Sequence, residues 1–166
     1  MLKIYWHMIM TRDSFRVSAK VPQGFGIAPF RGSHDRDAVA MLYAAAFSER
    51  PWPSDWDDFA GFDPGGVFLA YEDAEPVGFI ASYVRPDSPD EGYISVVGVL
   101  PGQRCRGIAA ALIHRAISRF WELGYQRVAI DVAVDNLPAL RLYEQSGFSK
   151  ISEFTADEHC RAPSDT

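Results

Sequence analysis

The residues best placed to do chemistry lie in 102-GQRCRGIAAALIHRAI-117, where Arg104, Arg106 and Gly107 stand directly before a run of small residues that opens a helical pattern. A helix start leaves several backbone N–H groups without partners and carries about half a positive charge, so anions bind there. For a large pyrophosphate to reach those groups the turn must not project bulk toward it, which Gly107 and Ala109 allow. Arg104 and Arg106 add positive charge at the same spot, and a guanidinium suits phosphate oxygens. Rival phosphate motifs do not fit, because no GKS or GKT closes the segment and no GxGxxG with an acidic ribose partner is present. Taken alone, the segment also reads as a surface helix start that is basic and small.

The elements that must position this turn follow from periodicity. Upstream, 94-ISVVGVLP-101 continues a strand over 93–100, and Gly98 within it marks a bulge or a close approach of a chain-like ligand to the backbone. Downstream, a helix is predicted over 109–123, with Ile108, Leu112, Ala116 and Phe120 on one stripe and Gly124 as its stop. Arg127 to Val134 alternates as a strand, and Asn136 then caps a helix with Pro138 in its first turn and Gly147 past its end. Asn136 and Tyr143 are seven apart, so they fall within roughly 20° around the axis and about 10 Å along it. One helix face can therefore touch a long ligand twice, although each residue alone reads as a cap and a core tyrosine.

The earlier part of the chain supplies the remaining layers. A strand is expected over 25–30, a helix capped by Ser33 and running to Phe47, and a loop rich in Pro, Trp and Asp over 48–66. Strands over 67–71 and 76–84 follow, and a last strand over 148–154 closes the pattern. The order β, α, β, β, β, α, β, α, β describes an α/β sandwich with a mixed sheet. Residues 1–25 read as an N-terminal extension of unread role, 26–155 as one domain and 156–166 as a polar tail.

Composition excludes several classes of function. With 166 residues, 48% apolar and 23% charged, the chain suits one globular domain with a sizeable core. A net charge of -6 argues against a nucleic acid or an anionic membrane as main partner. Cys105 and Cys160 have no ligand-like spacing, so neither a disulfide framework nor a metal site is suggested, and a cytoplasmic setting is expected. The apolar start is interrupted by His7 and lacks a cleavage pattern, which argues against a signal peptide, and no run reaches the roughly 18 apolar residues of a membrane span.

Strand, basic turn, RxxGxA and long helix, followed by 131-DVAVDNLPALRLYEQSGF-148, resemble the GNAT superfamily of N-acetyltransferases over about residues 25–154. The resemblance implies an α/β GNAT acyltransferase fold, a mixed central sheet flanked by helices. It also implies acetyl-CoA as co-substrate. On that basis Arg104, Cys105, Arg106, Gly107, Ile108 and Ala109 would cradle the pyrophosphate, and Val97, Gly98 and Val99 would run beside the pantetheine arm. A backbone N–H near Val99 would meet the charge that develops on the carbonyl oxygen. Asn136 would hold the arm, and Tyr143 of 142-LYEQSGF-148 would protonate the departing thiolate, since a phenol of pKa about 10 stays protonated at neutral pH.

The attacking amine must lose a proton, which a carboxylate or a water it orders can take. Asp131 is the candidate, because it interrupts an otherwise uncharged stretch between Ala129 and Ala133, and a comparable family position carries a glutamate base in some members. An ion pair with Arg127 or Arg141 is the structural alternative. Other members carry a glutamate on the earlier strand, where this chain has Tyr93, with Glu91 two residues off. His114 is expected on the helix surface.

For the acceptor, Asp55, Asp57 and Asp58 in 52-WPSDWDDF-59 offer charge to a cationic amine, and Trp52 or Trp56 a cation–π face, unless the tryptophans tuck onto the core. The stretches 62-FDPGGVFLA-70 and 135-DNLPALRLYEQSGF-148 also resemble mycothiol synthase domains, whose acceptor is the cysteine amine of a pseudodisaccharide. The expected activity is N-acetylation of a small-molecule amine or a peptide N-terminus, with a coenzyme A binding module without turnover as the alternative. A homodimer is a further expectation.

Overall fold

The computed structural model describes residues 2–16, 20–47, 55–58 and 61–156. Within them seven strands form one sheet: β1 (Ile4–Thr11), β2 (Phe25–Pro29), β3 (Val67–Glu72), β4 (Glu75–Tyr83), β5 (Gly92–Val99), β6 (Arg127–Ala133) and β7 (Ser149–Thr155). Among the described residues three α-helices cover it: α1 (Ser33–Ala46), α2 (Ile108–Glu122) and α3 (Leu137–Ser146). The strand order is β2-β3-β4-β5-β6-β1-β7. Only the β5–β6 neighbours run parallel, as the α2 crossover between them requires.

Each face of the sheet buries its own core. On one, Met8, Met10, Ile94, Val128, Ile130 and Phe148 pack beneath Leu112, Ile113, Phe120 and Tyr143 of α2 and α3. On the other, Leu69, Phe79 and Val96 pack beneath Val39, Leu42 and Tyr43 of α1. Small corrections to the expected boundaries have local causes. Gly32, at φ 61, is the cap before α1 rather than Ser33, because the chain enters the helix through a backbone conformation open to glycine. Trp56 is 3% exposed and edge-on to Phe30 and Phe62, so it is core and offers no face to a cation. Trp52 lies outside the described residues.

Residues 4–11, set apart in the sequence reading, are a strand inside the sheet. β1 joins β6 to β7, pairing antiparallel with both. Its alternation was masked because both faces are apolar or aromatic: Trp6, Met8 and Met10 go to the α2 side, while Tyr5, His7 and Ile9 face the other way. The chain then crosses α3, where Arg16 N–H donates to the Ser146 carbonyl at 3.4 Å. A Cβ on Gly147 would stand 2.1 Å from the Ser14 carbonyl oxygen, so that crossing demands glycine, as does the φ of 113 that ends α3.

Candidate active site

β5 and β6 are paired only over Gly92, Tyr93 and Ile94, opposite Val128, Ala129 and Ile130. Beyond that rung β5 continues along β4 and β6 along β1, so the two strands part. Leu100 N–H donates to the Val77 carbonyl at 2.9 Å, which fixes the parity of the β4–β5 ladder. Gly98 and Leu100 direct their backbone groups to β4, whereas Val97 and Val99 direct theirs into the gap. The Val99 carbonyl accepts from Arg104 Nε at 3.3 Å, leaving its N–H and both groups of Val97 on the open side.

Gly98 is not at a bulge, which corrects that part of the sequence reading. A Cβ there would sit 2.9 Å from Phe79 and 3.0 Å from Phe47, so close packing of α1 against the sheet excludes a side chain.

At the end of β5 a short turn brings the chain to Gly107, which caps α2 at φ 83 with no side-chain cap. The first N–H groups of α2, from Ile108 to Ala110, therefore point outward without an intrahelical partner. A Cβ on Gly107 would meet only Pro22, at 3.6 Å, so the space before the helix is open. Cys105, at φ 62, lets the turn reverse and is itself exposed. The arginines have more structural duties than expected. Arg104 also donates to the Ala46 carbonyl at 2.9 Å, tying the end of α1, and Arg106 lies 3.5 Å from Glu72 and 4.6 Å above the Phe25 ring. Arg104 has no carboxylate partner among the described residues, whereas the charge of Arg106 is partly offset.

A cleft of about 350 Å³ opens beside this helix start, lined by Gly107, Arg16, Lys20, His114 and Gln145 among others. His114 is half-buried there against Phe15, with ring centroids 5.0 Å apart, rather than on the plain helix surface. Burial, and then Arg115, push its pKa down. Arg16 and Lys20 were missed in sequence, because only the crossing of the N-terminal segment brings them to α2.

α3 positions the two residues predicted on one face. Asn136 accepts from Ala139 N–H at 3.3 Å as the cap of α3, on the exposed side. Tyr143 is 7% exposed, packs edge-on to Phe148 and shares a core with Val99, Ile108 and Leu140. Its hydroxyl has no hydrogen-bond partner among the described residues, and burial pushes its pKa up to about 12.

Asp131 lies on the opposite face of the sheet, one residue past the last β5–β6 rung. Its partners are neither Arg127 nor Arg141. Oδ1 lies 2.7 Å from His7 Nδ1, while Oδ2 accepts from Tyr93 Oη at 3.1 Å and has Arg85 at 3.7 Å. Glu91 is 3.2 Å from both Arg85 and Arg127, so its charge is answered. Tyr93 is held well above the usual phenol range, by burial first and then by the Asp131 charge. Of the acidic loop, Asp57 pairs with Arg36 at 2.9 Å, while Asp55 and Asp58 are exposed.

With this geometry in place, the comparisons with known proteins are specific. The family described as Acetyltransferase (GNAT) matches residues 36–148. The mycothiol acetyltransferase of Thermomonospora curvata is 33% identical over 149 residues, covering 85% of this chain and 50% of that protein. The chain spans about half the length of the curated relatives it matches. Among solved structures, a GCN5-related N-acetyltransferase from Sphaerobacter thermophilus aligns with a TM-score of 0.78 at 24% identity, over 93% of this chain and 50% of that one. The ribosomal-protein-S18-alanine N-acetyltransferase of Escherichia coli aligns with a TM-score of 0.66 at 17% identity, over 83% of this chain and 99% of that one. Identities of this size in the two structures speak to the fold.

Proposed function

The chain belongs to the GNAT acetyltransferase family, and from that premise we propose that it moves an acetyl group from acetyl-CoA to a primary amine by direct attack in a ternary complex. The observation that carries the reading is the parting of β5 from β6 after Ile94, directly beside the uncapped start of α2. A thioester carrier fits the residues present. The open N–H groups at Ile108 to Ala110, the bare Gly107 and the charges of Arg104, Arg16 and Lys20 suit a diphosphate. The backbone groups of Val97 and the Val99 N–H, which face the gap, suit the amides of an extended arm, as a strand edge takes a peptide. Acetyl-CoA, when bound, supplies an activated acetyl group on sulfur.

The protein's own residues then divide the work. The Val99 N–H is a donor for negative charge developing on a carbonyl oxygen. Tyr143, at about 12, would yield its proton to a thiolate of ordinary acidity only against a gap of about 3.5 units, or ~5 kcal/mol. It therefore stabilises charge on the departing sulfur as a hydrogen-bond donor and stays a phenol. Asp131 supplies the carboxylate that supports proton removal from the amine. The acceptor is a small-molecule amine, the class favoured by relatives named mycothiol acetyltransferases, or a peptide N-terminus.

Thiol release from acetyl-CoA, measured against a panel of cysteinyl, amino-sugar and peptide amines, tests the reading. Amine-dependent release is expected. Binding of the thioester without release for any amine would favour the coenzyme A binding module instead.

A further inference from the structure

We propose that Nε2 of His7 is the atom that takes the proton from the attacking amine, with Asp131 as the residue that positions it. The inference rests on the acetyl-transfer reading above. Both oxygens of Asp131 are already engaged, Oδ1 by His7 Nδ1 and Oδ2 by Tyr93 and Arg85, so the carboxylate offers little to an incoming N–H. The same contact chooses the imidazole tautomer. A carboxylate at Nδ1 holds the proton there and leaves Nε2 with its lone pair, and Nε2 has no partner among the described residues.

Position supports the same assignment. His7 stands opposite Asp131 in the β1–β6 register, at the level where β5 leaves β6. It is on the sheet face away from Tyr143, with Asp131 of β6 between it and the gap. His7 and Asp131 are partly exposed, at 24% and 16% for their side chains. The groups facing the imidazole are Asp131 of β6, Tyr93 of β5, Tyr83 and Arg85 at the end of β4, Tyr5 of its own strand and Ser152 of β7. Arg85 and Arg127 are answered by Glu91 and Asp131, so the surroundings carry no excess of positive charge against an imidazolium.

The chemistry also favours imidazole, because a base is most effective when its pKa lies near the working pH, and a carboxylate's ordinary value lies about 3 units below neutrality. One proton of the ammonium passes to Nε2 and on to solvent. The freed nitrogen bonds the acetyl carbon as the carbon–sulfur bond breaks, and the second nitrogen proton ends on the thiol.

Two measurements on the full chain test this. In nitrogen NMR of the free protein, His7 is expected as the Nδ1-protonated tautomer at pH 7.5, and the Nε2-protonated tautomer would overturn the proposal. In thiol release with acetyl-CoA and cysteine methyl ester or a peptide amine, His7→Gln is expected to lose about 100-fold or more in kcat/KM at pH 7. The loss should shrink as pH rises and free amine accumulates, and the acid limb of the profile should flatten. Asp131→Asn should lower kcat/KM and lose the preference for the Nδ1-protonated tautomer in the nitrogen NMR. Coenzyme A affinity by calorimetry should stay within about twofold in His7→Gln. A variant with the wild-type pH profile overturns the base role, while failure of wild type to take up coenzyme A overturns the acetyl-transfer reading with the tautomer result intact.

Discussion

Tyr93 donates its hydroxyl to Oδ2 of Asp131 at 3.1 Å, across the last rung that joins β5 to β6. The bond thus braces the carboxylate at the point where the sheet opens. Hydrogen bonds to charged groups contribute about 1.5–3 kcal/mol, less where water can replace the donor. Tyr93→Phe should lower stability to urea by ~1–2 kcal/mol. Combined with Asp131→Asn it should be non-additive by at least ~0.5 kcal/mol, and strict additivity would show that the pair is not coupled.

Tyr143 predicts a specific alkaline behaviour. Its folded pKa of about 12 lies above the ordinary phenol value near 10, so folding favours the protonated form. The resulting stability is present below pH ~10 and is lost as pH rises toward 12, by up to ~3 kcal/mol. The stability of wild type relative to Tyr143→Phe should therefore fall between pH 9 and 12 in denaturation experiments, because the variant has no phenol at this position to ionise. Parallel curves would show that the hydroxyl is not buried as described. At pH 7 the same variant should lose roughly 10-fold or more in kcat with little change in coenzyme A affinity.

The N-terminal strand should matter to folding in proportion to which side chain is cut. Met8 is fully buried in the α2-side core, whereas Ile4 is 42% exposed at the edge of the same strand. Met8→Ala should cost about 2–5 kcal/mol and Ile4→Ala under ~1 kcal/mol in chemical denaturation. Equal small losses would mean that β1 is not integral to the sheet.

Gly98→Ala should destabilise by about 1–3 kcal/mol through overpacking against Phe79 and Phe47. Adding Phe47→Leu should recover part of that loss, because Phe47 caps α1 at the surface while Phe79 is locked in the core. Full tolerance of the alanine would show that packing against α1 does not require glycine there.

Local signals carried much of the fold into view. Gly107 before an alanine run, Asn136 before Pro138 and Gly147 after Ser146 mark helix ends through backbone rules that act within a few residues, and each helix ends there. What escaped depends on partners far apart in the chain. His7 and Asp131 are separated by 124 positions and are joined only by the register of an antiparallel pair. Arg16 and Lys20 reach the start of α2 only because β1 is inserted between β6 and β7. Trp56 and Gly98 were ambiguous for another reason: whether an aromatic ring is core or a small residue is required by packing depends on which face closes over it.

The central claim is that the start of α2 and the free edge of β5 hold a coenzyme A thioester. Calorimetric titration with coenzyme A, run on wild type and on Gly107→Glu matched for helix content, tests it most directly. Saturable uptake by wild type and at least ~10-fold weaker binding by the variant are predicted, because a carboxylate and its stem would fill the space before the helix. No uptake by wild type, or equal affinity in both, would contradict it.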